Sequence, residues 1–130
     1  MATAPGGAGA TPAGGHRRRL GARGEERVAE WYGARGYRIV ARNWRCREGE
    51  IDIVAWSSHG DLVFCEVKTR SSARFGAPVE AVTAAKQRRL RLLATRFLAA
   101  HGTAVRGRRG LRFDVAAVTP GRVEVIEGAF

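Results

Sequence analysis

Apolar and polar residues recur with two different periods along the chain, and these periods predict its elements. Val28, Trp31 and Tyr32 have helical spacing within residues 22–35, which predicts a short first helix. A longer apolar stripe predicts a second helix over residues 79–101. The members of this stripe are Val82, Leu90, Leu93, Ala94 and Phe97.

Segments of β-type pattern predict five strands, two pairs of which are joined by tight turns. The polar stretch Ser57–Asp61 joins the second predicted strand to the third, and Pro120-Gly121 joins the fourth to the fifth, so each pair is predicted to be a hairpin. The order α-β-β-β-α-β-β predicts an α/β domain with a mixed β-sheet flanked by helices. The strands are predicted at residues 37–43, 49–56, 62–68, 111–118 and 122–128.

Charged residues interrupt two neighbouring predicted strands. The third strand begins apolar on both faces, as a central strand does, and then carries Glu66 and Lys68 on one face. The second strand carries Asp52, which simple alternation places on the face opposite to Ile51 and Ile53. A five-residue connection would pair these strands so that Asp52 lies opposite Glu66. Directly opposite side chains have Cβ atoms about 4.5–5.5 Å apart.

Two adjacent carboxylates and a nearby ammonium group fit a metal-dependent reaction on phosphate. Carboxylates this close repel unless a cation lies between them, and Mg²⁺ or Mn²⁺ takes carboxylate oxygens while leaving positions for water and phosphate. Lys68 could orient or deprotonate water, or stabilise charge developing on phosphate. The pattern therefore predicts phosphodiester hydrolysis. The alternative is a simple Glu66–Lys68 ion pair that closes the edge of the sheet.

The charge balance points to a polyanionic partner. The formal net charge of the 130 residues is +11, which favours nucleic acid first and an anionic membrane surface second. Of the 23 lysines and arginines, only Lys68 and Lys86 are lysines, which suggests a specific need for a compact ammonium group at these positions. The arginines of the second helix are either a solvated face or phosphate contacts.

The ends of the chain and its cysteines limit the class of protein. Residues 1–20 are rich in small residues and end in a basic cluster, which predicts a disordered tail before a single domain at residues 21–130. The two cysteines lack CxxC spacing, so they are predicted to be reduced thiols. We find no secretory signal and no segment long enough to cross a membrane, and we therefore expect a cytoplasmic protein.

Five segments carry a resemblance to a known family. They read "RGEERVAEWYGARGYRIVARN", "GEIDIVAW", "LVFCEVKTR", "FGAPVEAVTAAKQRRL" and "RFDVAAV". Together they resemble the YraN-like family of uncharacterised bacterial proteins, whose pattern is similar to archaeal Holliday-junction resolvases of the PD-(D/E)xK nuclease superfamily. The resemblance covers residues 21–130 and implies a restriction-endonuclease-like core.

The resemblance also implies roles for individual residues. Asp52 and Glu66 stand at the metal-binding positions, Lys68 completes the E-x-K motif, and Glu25 matches a helical glutamate that can join the catalytic site. Ile51 replaces the proline that names the superfamily motif, which loosens only the fold-level label. The residues expected to contact nucleic-acid phosphates are Arg70, Lys86, Arg88, Arg89 and Arg91.

Three functions are compatible with these features. The first is a Mg²⁺-dependent endonuclease acting on DNA, with branched or flap structures as candidate substrates. The second is a nucleic-acid-binding module that keeps the fold without cleaving, and the third is a basic adaptor for another DNA-processing protein. The sequence leaves the choice between DNA and RNA open, together with the metal and the oligomeric state, a homodimer included.

Overall fold

The computed structural model describes residues 15–70 and 82–130, with side chains described from residue 21 onward. These residues form a five-stranded sheet with two α-helices and a short 3₁₀ helix, Gly102–Val105. The α-helices are α1 (Gly15–Ala34) and α2 (Ala84–His101). The strands are β1 (Arg38–Cys46), β2 (Gly49–Trp56), β3 (Asp61–Thr69), β4 (Gly110–Thr119) and β5 (Arg122–Ile126).

The order α-β-β-β-α-β-β is confirmed, and the sheet is mixed as predicted. Its strands lie side by side in chain order, from β1 to β5. The β3–β4 pair is parallel, and the other three pairs are antiparallel. A parallel pair requires a crossover connection, which here contains α2. This α/β architecture is consistent with a nuclease-like core.

The two helices cover opposite faces of the sheet. Val28 and Tyr32 of α1 pack in one core cluster with β-strand residues such as Val63 and Cys65. The apolar side of α2 packs in a second cluster with Leu62 and Phe64. Neighbouring residues of β3 thus enter different clusters, which explains why both faces of this strand begin apolar.

The hairpin of β2 and β3 has the predicted register. Ile53 pairs with Cys65, and Trp56 pairs with Leu62. The turn is closed by a backbone hydrogen bond of 2.9 Å from the Ser57 N–H to the Asp61 carbonyl. The register therefore brings the Asp52 region of β2 level with Glu66, as the sequence analysis expected.

The boundaries of both helices differ from the prediction. Helix α1 begins at Gly15 and not at residue 22, so residues 15–20 of the expected tail are helical; arginine has a high helix propensity even where no apolar stripe marks the helix. Helix α2 begins at Ala84, because the side chain of Thr83 caps it by accepting from the Lys86 N–H at 3.2 Å. Residues 1–14, the predicted loop 71–78 and residues 79–81 lie outside the described residues.

Neither helix of the described chain combines the length and the apolar character needed to cross a lipid bilayer. Both cysteines are free thiols, as predicted.

Candidate active site

The candidate site lies where β2 and β3 stop pairing. Their ladder runs from the hairpin turn only as far as Ile53 and Cys65. At the next position, the Asp52 carboxylate takes the place of a backbone acceptor, since its Oδ2 accepts a hydrogen bond of 2.8 Å from the Val67 N–H. The carboxylate is therefore held in the gap between the two strands, where a regular sheet would have a peptide group.

The strands are irregular on both sides of Asp52. Ile51 packs in the cluster under α2, whereas Ile53 packs in the cluster under α1, so the predicted common face of these two residues is wrong. In β1, Asn43 has a left-handed backbone with φ 52°, a conformation that asparagine tolerates better than most residues. Asn43 lies between Arg42 and Trp44, whose partners in β2 are Ile53 and Ile51, and thus faces Asp52. Sequence reasoning missed Asn43, although asparagine in an apolar strand is a signal for irregular backbone.

Helix α1 adds Glu25 to this place. The carboxyl group of Glu25 hydrogen-bonds with the side chains of Asn43 and Asp52. Burial raises the pKa of Glu25, and the charge of Glu50 raises it further, while the hydrogen bonds and Arg42 act in the opposite direction. The sequence prediction that Glu25 joins Asp52 thus has a direct geometric counterpart.

The close approach of α1 depends on the residue before Glu25. Gly24 is buried against Thr69 at the end of β3, and a Cβ atom at Gly24 would overlap Thr69 Oγ1. It would also lie 3.2 Å from Thr69 Cβ and 3.3 Å from Thr69 Cγ2. Only glycine therefore lets the helix lie this near to the strand.

Asp52 carries the most informative electrostatic shift of the site. Burial is the largest cause that raises its pKa, from an ordinary value of 3.8 to about 7. The hydrogen bond from the Val67 N–H opposes this effect, while the charges of Glu25, Glu50 and Glu66 add to it. The carboxyl group is therefore poised to exchange protons near neutral pH, or to be ionised by a bound cation.

Glu66 and Lys68 are in contact at the same end of β3. Lys68 Nζ lies 2.6 Å from Glu66 Oε2, and the two side chains are only 27% and 16% exposed. This buried oxygen has no hydrogen-bond partner in the described chain. The two charges thus attract each other without hydrogen-bond geometry, and Oε2 remains short of a donor or a cation.

These residues fit a hard cation held partly by water. No three or more His, Cys, Asp or Glu side chains are grouped closely enough to hold a metal within residues 15–70 and 82–130. Mg²⁺, however, is usually bound through one or two carboxylates together with waters and phosphate oxygens. Asp52 has carboxylate neighbours that a cation would neutralise, and Glu66 has a buried oxygen without a donor. The donor set therefore suits Mg²⁺ or Mn²⁺ better than a closed protein cage.

The residues expected to contact nucleic acid fall into two groups. Arg70 follows β3, where its backbone N–H donates to the Val118 carbonyl at 2.8 Å, so it lies at the same end of the sheet as Glu66. Lys86 is half-buried in the first turn of α2. Farther along α2, the side chains of Arg88, Arg89 and Arg91 are exposed. Arg91 also stacks over aromatic rings, with its guanidinium carbon 5.0 Å from the centre of the Phe113 ring.

A buried polar network on the α1 face was not predicted. Asp114 is fully buried in β4, where it accepts hydrogen bonds of 2.6 Å from the Tyr32 hydroxyl and 2.9 Å from Arg112 Nε. Arg112 also donates to the Tyr37 hydroxyl at 2.7 Å. Because every charge in it is paired, we interpret this network as structural. It ties α1 to the sheet.

Comparison with known proteins identifies relatives across most of the chain. The sequence model of the uncharacterised protein family UPF0102 matches residues 24–118. The chain is 52% identical to a UPF0102 protein of Symbiobacterium thermophilum, over 87% of this chain and 97% of that protein. It is 50% identical to one of Frankia alni, over 85% and 93% of the two chains. A third, from Moorella thermoacetica, is 49% identical over 88% and 97%.

Proposed function

Because the chain belongs to the uncharacterised protein family UPF0102, consistent with its YraN-like resemblance, its activity has to be argued from the site, and we propose that it is a divalent-metal-dependent endonuclease acting on DNA. The observation that carries the proposal is the coupling of Glu25, Asp52 and Glu66 at the end of β3, with Lys68 in contact with Glu66. A purely structural ion pair explains Lys68 but not a carboxyl group whose pKa is raised by three acidic neighbours.

Each residue has a distinct role in the proposed reaction. Asp52 and Glu66 would hold Mg²⁺ or Mn²⁺, which supplies a bound water of lowered pKa and polarises the phosphate. Glu25 supports Asp52 from α1 and keeps its carboxyl group in place. Lys68 is close enough to Glu66 to orient a water molecule or to stabilise the negative charge that develops on the phosphate. Arg70 and the arginines of α2 would attract the backbone of the substrate.

A cleavage screen tests this proposal. The purified protein is offered linear, flap and four-way DNA with Mg²⁺ or Mn²⁺, beside the variants Asp52→Asn and Lys68→Ala. We expect the wild type to cut at least one branched substrate and both variants to lose about 100-fold or more of the rate, as is typical when one electrostatic group is removed. The matched control is Glu30→Gln, which removes one exposed carboxylate of α1 and should cut like the wild type.

The outcomes separate the alternatives. Cutting that persists in both variants would refute the assigned site. Metal-independent and salt-sensitive binding without cutting would favour a nucleic-acid-binding module, which the Glu66–Lys68 contact also allows, since an ion pair can close the site. The absence of any affinity for DNA would leave the adaptor. A cytoplasmic location, which both free thiols support, belongs to the same proposal.

A further inference from the structure

A cleft of about 220 Å³ opens beside α1, on the side away from the carboxylates. It lies between the helix and the carboxyl ends of the parallel strands β3 and β4, the position at which α/β proteins commonly bind ligands. Its walls include the side chains of Arg23 and Arg27, together with Arg70, Thr69, Val118 and Pro120.

Arg23 and Arg27 are placed to act together. They are four residues apart on α1, so their Cβ atoms are about 5–6 Å apart on the same helix face. Like charges at this spacing repel and destabilise a helix unless an anion compensates them. In the described chain neither residue has a carboxylate partner, and Glu26, the nearest acid on their side of the helix, is paired with Arg42 at 2.7 Å.

The cleft is also partly rigid and partly apolar. Arg27 Nη1 donates to the Thr119 carbonyl at 2.9 Å, which fixes the guanidinium while other N–H groups stay available. Gly24, Val118 and Pro120 contribute apolar walls, which exclude water and strengthen electrostatic attraction. Two arginine forks at such a wall match the oxygens of a phosphate group.

We infer that this cleft binds a phosphate group of the nucleic-acid strand, next to the position where the strand is cut; the inference rests on the proposed function. Glu25 lies about 160–200° around the axis of α1 from Arg23 and Arg27. The helix therefore presents carboxylates on one flank and guanidinium groups on the other. A strand that crosses the end of β3 would place one phosphate at each flank. The phosphate in the cleft is either a terminal monophosphate or an internal phosphodiester.

The test measures binding with the full chain in the absence of divalent metal. Fluorescent single-stranded oligonucleotides with a 5′-phosphate or a 5′-hydroxyl are titrated against the wild type and Arg23→Gln/Arg27→Gln. The matched control, Arg38→Gln/Arg106→Gln, removes two exposed arginines at the opposite end of the sheet. We expect the cleft variant to bind about 10-fold more weakly or worse, because charge-assisted contacts are lost. Its salt dependence should fall by about 0.7 per lost phosphate contact on a single strand.

The two probes distinguish the source of the phosphate. A preference for the 5′-phosphate that disappears in the cleft variant identifies a terminal group, and equal loss for both probes identifies an internal one. Equal weakening in the cleft variant and the control would overturn the inference, because it would show only a general effect of charge. The single variant Arg23→Gln, which keeps the Arg27–Thr119 contact, covers the case in which the double variant is unstable.

Inorganic phosphate separates failure of the cleft from failure of the proposed reaction. It should shift the arginine Nε–Hε NMR signals of the wild type and of Asp52→Asn, but not those of the double cleft variant. If this shift occurs and no DNA is cut, the cleft stands and the hydrolysis does not. If DNA is cut while phosphate shifts no arginine signal and the cleft variant binds DNA like the wild type, the cleft inference is wrong.

Discussion

The raised pKa of Asp52 predicts that the metal-free protein is stabilised when this carboxylate is removed. The perturbation is Asp52→Asn, which keeps an oxygen for the Val67 N–H and removes the charge among Glu25, Glu50 and Glu66. Each pKa unit is worth about 1.4 kcal/mol, so a change from 3.8 to about 7 corresponds to about 4 kcal/mol. We expect a gain of about 2–4 kcal/mol at pH 8, because water entering the site reduces the full effect.

The sign follows from proton binding. Between pH 4 and about 7 the folded protein holds a proton on Asp52 that the unfolded chain has released. The free energy of unfolding therefore falls as the pH rises through this window. Below about pH 4 both states are protonated, and the wild type and Asp52→Asn should have similar stabilities in this respect. The stabilising effect of the substitution should thus appear with rising pH and level off above about pH 7 to 8.

Urea denaturation with a chelator, measured at several pH values between 4 and 8, checks this prediction. Glu30→Gln, which removes an exposed carboxylate of the same helix as Glu25, serves as the control and should change little at any pH. Adding Mg²⁺ should stabilise the wild type and not Asp52→Asn, since only binding to the folded state contributes. A variant that is equally or less stable than the wild type across the whole range would refute the reasoning.

Three further predictions concern the surroundings of the site. Gly24→Ala should destabilise by about 1–3 kcal/mol through overlap with Thr69, and a second change of Thr69→Ala should restore part of the loss in urea denaturation. Asp114→Ala should lower the free energy of unfolding by about 3–5 kcal/mol, because Arg112 loses its buried partner; loss below 1 kcal/mol would contradict this. Burial raises the pKa of the Cys65 thiol, so only one of the two cysteines should react quickly with a thiol reagent at pH 8 in the native protein.

The parts of the fold set by local pattern could be predicted from the sequence. The polar turn Ser57–Asp61 and the apolar residues on either side of it determine the register of β2 and β3. Helix boundaries were less accessible. The start of α1 carries basic residues without an apolar stripe, and the start of α2 depends on a single cap at Thr83.

The features that were not predicted depend on contacts between residues distant in the chain. Asp114 looks like a strand-end charge until Tyr32, which lies 82 residues earlier, and Arg112 are seen to surround it. Arg23 and Arg27 look like an ordinary solvated helix face, because the Thr119 carbonyl that orients Arg27 lies 92 residues away. Periodicity contains no information on such partners.

The position of α1 connects the two candidate sites. Gly24 sets the distance between the helix and Thr69, while Glu25 reaches the carboxylates on one flank and Arg27 lines the cleft on the other. A shift of the helix must therefore disturb both flanks together, whereas a change of charge at Asp52 affects only one. Gly24→Ala should for this reason weaken phosphate binding and cleavage in parallel, and both should recover in the double variant with Thr69→Ala. If only one of the two activities responded, the carboxylates and the arginines could not share this helix as their common support.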